Sequence, residues 1–286
     1  MNEEALIKLL DDPDKVVFET VSQKILEVGP AMLPELEQAA RDTLSPVLHG
    51  HIEELVKILQ FAQLKTEFRE WLSSRVPKLI HGAWLMTRYQ FPDMKPEEFT
   101  RMIKPMREAI WLEISESLTA IEKIRVFNRL FFDKGRIRLN EKHPESAGNN
   151  FINRVLESGK ANEHSLVLLY AIVAQELDLP VYVVEMPEYP ILAYVDMPLI
   201  TEASIDPELF DVLFYINPGD KGSLHSRDDI TTFLIRQSLP LKATNYEPRP
   251  NIHFIRICLE RLAEDYVNSD SEIRSFQVQD LLALWK

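Results

Sequence analysis

A chain of 286 residues, 45% of them hydrophobic, can bury a sizeable core in one large domain or two to three smaller units. Its 45 acidic against 32 basic residues leave a formal charge of −13, a field that opposes a general role on DNA or RNA, where Lys and Arg must neutralise phosphate. No apolar run reaches the roughly 18–20 residues of a membrane span, and the opening "MNEEALIKLLDDPD" is acidic where a signal peptide would be basic, so the sequence points to the cytoplasm and away from membranes. The single cysteine, Cys258, suits a reducing compartment and cannot form an internal disulfide.

The first 63 residues show two stretches of similar pattern. Val17, Val21, Ile25 and Val28 recur at helical spacing after "DDPD", and Leu48, Ile52, Val56 and Leu59 do so after "TLSP". Asp and Pro ahead of each apolar face are helix-start signals, because the Asp carboxylate accepts from free N–H groups and Pro tolerates the first turn. With the short helix "GPAMLPELEQAA" between them, residues 1–63 read as HEAT-like helical repeats, two of which need further chain to dock on.

From residue 64 to 132 the chain stays helical, in segments divided by Pro, Gly and Ser. Trp71, Trp84 and Trp111 fall among apolar neighbours and read as core anchors. "DKGRIRLNEKHPESAGNN", from Asp133, lacks periodicity and reads as a long loop; its basic "KGRIR" (Lys134 to Arg138) reads as a solvated turn. "FINRVLESG" and Ser165 to Leu177 are two further helices, and the alternating "VYVVEM", "ILAYVD" and "VLFYIN" are strands of an antiparallel sheet, with residues 197–211 as a loop between two of them. Residues 241–286, which open with the polar link "NYEPRPN", form a C-terminal helical segment. Cys258 there shares a helix face with Ile255 and Leu262, the place of a small core residue.

Several phrases in order, "LTAIEKIRVFNRLFFDKG", "NNFINRVLESGKANEHSLVLLYAIVAQELDLPVYVVEMPEYPILAYVD" and "LFYINPGDKG", resemble the bacterial transglutaminase-like proteins of the SirB type, over roughly Leu118 to Phe233. The resemblance implies an α+β fold: a papain-like core of a central helix on an antiparallel sheet, here about residues 118–235 within a domain at 64–240, flanked by the N-terminal HEAT-like helices and the C-terminal ones. In active members of the wider superfamily a Cys opens the central helix, a His stands on the next strand pair and an Asp or Asn follows. The thiol attacks as thiolate, the His takes its proton, and the third residue orients the imidazole.

Carried onto this sequence, the nucleophile position falls within residues 162–165, best at Glu163, the His position at Tyr189 in "MPEYP", and the third position at Asn217 in "YINPGDKG". None of these is Cys or His, so the triad reads as degenerate and Glu163, His164, Ser165, Tyr189 and Asn217 as a vestigial cleft with no catalytic residue. Ser165 is the nearest hydroxyl and His164 its neighbour, but adjacent helical residues point to different faces. Their bland reading is a helix start: Asn162 as N-cap, Ser165 in the first turn and Glu163 beside the positive end of the dipole. A Glu163–Tyr189 acid–base pair would need burial to bring two unlike pKa values together. The seven histidines are scattered: His49 and His51 diverge on a helix, while His143 and His225 read as solvent-facing, so no metal site and no cofactor is expected. Three functions remain: a non-catalytic protein that binds a protein partner or ligand in a regulatory role; a hydrolase or acyl-transfer enzyme with an unconventional site at the degenerate triad; or a structural component of a larger assembly.

Overall fold

The computed structural model describes residues 3–144, 146–196 and 211–285, and the chain divides into two compact units, Met1–Glu70 and Trp71–Lys286. In the first, helices α1 (Glu3–Leu9), α2 (Lys15–Val28) and α3 (Leu33–Asp42) share a core with the first part of α4 (Pro46–Leu72). Asp14 caps α2 by accepting from Val16 N at 2.9 Å. Val21, Ile25, Ile52 and Leu59 of the two repeating faces are buried and Val17, Leu48 and Val56 pack against them, but Val28, next to the glycine that ends α2, is exposed. His51 has its own task here: its ring lies 4.1 Å from that of Phe18 and its Nδ1 is 3.1 Å from the Leu10 carbonyl oxygen. Helix α4 runs unbroken through residues 63 and 64, where the sequence suggested a boundary.

The second unit begins with α5 (Leu79–Gln90), α6 (Pro96–Trp111) and α7 (Ala120–Asn128), which continues into a π-helical turn at Arg129–Lys134. The stretch expected to be a long loop contains β1 (Arg138–Leu139), paired in parallel with β2 (Lys160–Ala161) on the far side of α8 (Ile152–Ser158). Then come α9 (Glu163–Gln175) and the strands β3 (Val181–Val184), β4 (Ile191–Val195), β5 (Val212–Asn217) and β6 (Ser223–His225). Helix α10 (Arg227–Arg236), β7 (Pro248–Arg249), α11 (Asn251–Asn268) and α12 (Glu272–Leu282) complete the unit. The sheet is antiparallel, in the order β6-β5-β4-β3-β7. The loop expected at residues 197–211 lies, except for Asp211, outside the described residues.

Helix α9 is buried at every position from Ser165 to Ala174, the condition of a helix enclosed in a core. Alternation along the strands separates two sheet faces. Val184, Ile191, Ala193, Val195 and Tyr215 point to one, where Ile230 and Leu234 of α10 pack on them. Val181, Val183, Leu192 and Ile216, also buried, point to the other, where α9 meets β3 and β4. Asn128 ties the β5–β6 turn to this helix: its Nδ2 donates to the Gly222 carbonyl at 2.7 Å and its Oδ1 accepts from the Tyr170 hydroxyl at 2.7 Å. Gly222, at φ +75°, passes so close to Asn128 that a Cβ would lie 2.1 Å from Oδ1.

Trp71 is buried and Trp84 half-buried, each indole N–H donating to a carbonyl, of Lys78 and Met94 respectively. Trp111 departs from the expectation of a core anchor: it is 66% exposed. Helix α6 buries Phe99, Ile103 and Ile110, and the next residue is turned by about 100° from that stripe.

Gly82 on α5 marks a tight helix contact. A Cβ there would lie 2.5 Å from Trp71 Cζ2 and 2.7 Å from Ile255 Cγ1 of α11. Gly82→Ala gains up to about 1 kcal/mol of helix propensity, yet overpacking costs about 1–3 kcal/mol. A net loss of stability in urea unfolding is the expected result, and a net gain would show that the indole shifts freely.

Candidate functional site

The start of α9 is built by a reciprocal cap. Asn162 Oδ1 accepts from Ser165 N at 2.8 Å, Ser165 Oγ accepts from Asn162 N at 3.1 Å, and the same hydroxyl lies 3.3 Å from the Asn162 carbonyl oxygen to which it donates. Asn162 is 1% and Ser165 2% exposed, so the hydroxyl is both enclosed and fully engaged in holding the helix end. Glu163 occupies the first position of the helix, half-buried, where its negative charge suits the dipole.

Behind the cap runs a buried polar chain. Asn162 Nδ2 donates to Asn150 Oδ1 at 2.8 Å, Asn150 Nδ2 donates to Asp265 Oδ2 at 2.7 Å, and Asp265 Oδ1 is paired with Arg261 Nη2 at 2.9 Å. Asp265 is fully buried, and burial holds its carboxyl above the usual carboxylate range, against the opposing effects of Asn150 and Arg261. His164 stands beside this chain. Its Nδ1 is buried with no hydrogen-bond partner among the described residues, and burial first, then the Arg261 guanidinium, push its imidazole down to about 4. It is therefore neutral at pH 7, and no hydroxyl or thiol hydrogen-bonds to that nitrogen.

Tyr189 and Asn217 come together elsewhere. Asn217 follows Tyr215 by two residues on β5 and so shares its face of the sheet, the α10 face; Tyr189 packs on the same apolar cluster from the β3–β4 loop. Both line a partly open cavity of about 80 Å³. None of Glu163, His164 and Ser165 lines it: they sit at the start of the helix that packs on the opposite face. Asn217 Oδ1 accepts from Gly219 N at 3.0 Å, which shapes the turn after β5. The five positions picked from the sequence thus divide into two groups across the sheet.

One residue read differently in the sequence joins the second group. His225 was expected in a solvent-facing turn; it is half-buried on β6, its Nε2 lies 2.8 Å from Ser223 Oγ, and it lines the cavity with Asp229. The register of β6 against β5 pairs Ser223 with Asn217 and His225 with Tyr215, which puts both on the same face of the strand. Ser226 caps α10, its Oγ accepting from Asp229 N at 3.1 Å, while its N–H and hydroxyl donate to Asp229 Oδ2, two bonds that hold that carboxyl below its usual range.

Cys258 is 1% exposed on α11 and burial pushes its thiol far up, so it is a core residue with no access to either group. Among the described residues no cluster of three or more His, Cys, Asp or Glu could hold a metal ion, and no helix is long and apolar enough to cross a membrane.

Neither a curated protein nor a solved structure matches the chain. A family model does, over residues 97–260, which takes in α6 from its second residue, α7 to α9, the sheet, α10 and the first part of α11. With a helix buried on an antiparallel sheet and more than half of the 286 residues matched, the chain belongs to the transglutaminase-like superfamily.

Proposed function

We propose that this chain is a non-catalytic member of its superfamily, of the SirB type, that acts by binding, with a regulatory role in the cytoplasm. The observation that carries this is the state of the only hydroxyl at the start of α9: Ser165 Oγ is buried, bonded twice to Asn162, and not hydrogen-bonded to a base. A serine without a base is a poor nucleophile, and loss of one essential triad member costs on the order of a million-fold in rate. His164 does not replace the missing base, because an imidazole held neutral by burial beside Arg261 resists taking the proton that the cycle needs it to accept. The helices of residues 1–63 are read as a HEAT-like pair and a second binding surface.

Fluorophosphonate and iodoacetamide probes on the folded protein, with ester and amide turnover measured alongside, test the proposal. No stoichiometric labelling of Ser165 or Cys258 and no turnover above the buffer rate are expected. Turnover abolished by Ser165→Ala would overturn the reading at the helix start. Turnover abolished by Ser223→Ala would overturn it in favour of a hydrolase built on the Ser223–His225 pair.

A further inference from the structure

The cavity on the α10 face has a composition that selects a ligand class. Its wall is apolar, from Met186, Ile191, Ile230 and Phe233, and its charged groups are the carboxylates of Glu188 and Asp229. No Lys or Arg is among the described residues that line it. Tyr189, Asn217 and His225 add a phenol, an amide and an imidazole, the last fixed by Ser223. We infer that this cavity binds a small organic cation, an ammonium head on a short aliphatic chain, with the chain against the apolar wall and the head facing Glu188 and Asp229. The inference rests on the binding reading above and names its ligand.

Size narrows the class. On the same measure a single water needs about 10–15 Å³ and an engineered apolar cavity of about 150 Å³ takes benzene. At about 80 Å³ the site accepts a chain of a few heavy atoms rather than a ring. Charge sets the sign. An anionic ligand would face two carboxylates with no Lys or Arg on the wall, in a protein of formal charge −13. A neutral chain would fill the apolar part and leave the carboxylates to water. A cation uses both, and the aromatic side chains of Phe233 and Tyr189 on the wall are further favourable surroundings for it. Asp229 stays ionised into mildly acid solution because Ser226 donates two hydrogen bonds to it, so the site keeps this charge over a wide pH range.

A methyl-NMR titration of the full chain with n-butylammonium, 1-butanol and butyrate tests this. Saturable shifts of the Met186, Ile191 and Ile230 methyls with butylammonium are expected, with a Kd of about millimolar for so small a ligand. Butyrate should bind at least about tenfold more weakly, since its charge is reversed beside the same carboxylates. Glu188→Gln, at an exposed loop position, should weaken butylammonium about two- to fivefold, as loss of one solvent-exposed charge pair does. Ile230→Trp should abolish the shifts by filling the space, and its folding can be checked independently; Glu188→Gln keeps the test decisive if that variant is unstable. Equal binding of butanol and butylammonium, or no saturable shift with any of the three, would overturn the inference. Turnover of an ester would sink the non-catalytic reading without touching this one, and absence of cation binding would sink this one without touching the other.

Discussion

Asp265→Ala is expected to lower the unfolding free energy by about 3–5 kcal/mol, the cost typical of breaking a buried ion pair from one side. The carboxylate is fully buried between one donor, Asn150 Nδ2 at 2.7 Å, and the Arg261 guanidinium, whose Nη2 is ion-paired with it at 2.9 Å. Alanine leaves the guanidinium without its counter-charge and Asn150 Nδ2 with only the longer contact, 3.3 Å, to the Ala147 carbonyl. Asn150 in turn holds the Asn162 amide, so the disturbance reaches the cap of α9. Asn162→Ala should cost about 2–4 kcal/mol by itself, from about 1 kcal/mol of lost cap and one buried acceptor, Asn150 Oδ1, that loses its partner at about 1–3 kcal/mol. Because the two residues act through Asn150, the double variant should lose less than the sum of the singles, by more than about 0.5 kcal/mol. Urea unfolding at pH 7 with unchanged m-values checks all three. A loss below about 1 kcal/mol for Asp265→Ala would mean that the pair barely offsets its own desolvation.

That chain of contacts shows where sequence reading stops. The helix Ser165–Leu177 and the strands at 181–184, 191–195 and 212–217 were legible because local periodicity and β-branched residues mark them within a few positions. The cap of α9 was legible too, as Asn162 and Ser165 are three residues apart. Asn150 and Asp265 are separated by 115 residues, and nothing local in "AGNNF" or "LAEDYV" shows that the amide meets the carboxylate. The short strands β1, β2, β6 and β7, of two or three residues each, carry too little alternation to declare themselves.

Trp111 was misread for a related reason: being beside buried Ile110 in sequence is not being beside it on a helix. The five site positions could be found by alignment to a family pattern, but their faces could not. Whether Asn217 looks toward α9 or α10 depends on the parity of β5, and only its register against Ser223 on β6 and the sharing of a face with Tyr215 fix that. His225 was hidden by the same ambiguity, since "GSLHSRDD" carries a strand of three residues directly before a helix cap.

Acidification supplies the second large effect, and its sign follows from His164. The imidazole titrates at about 6.5 when the chain is unfolded and is pushed down to about 4 in the fold, by burial and by Arg261 of α11. Above about 6.5 both states hold it neutral and it contributes no slope. Below that, the unfolded state takes a proton that the native state refuses, so stability falls by up to about 1.4 kcal/mol per pH unit as pH drops toward 4. The full loss is on the order of 3 kcal/mol. Asp265 works the other way: its carboxyl is held up in the fold, so below its folded value the native state binds a proton before the unfolded state does, and acidification is favourable there. The two groups sit against the same guanidinium, which makes the wild-type curve a composite. His164→Gln isolates one of them, because it leaves Asp265, Arg261 and the other six histidines in place. The difference in unfolding free energy between wild type and His164→Gln, measured by urea at intervals from pH 7.5 to 4.5, should be flat above about 6.5 and shift in favour of the variant below it. A difference that stays constant over the whole range would mean that the buried imidazole titrates as freely in the fold as out of it, and that solvent reaches the start of α9.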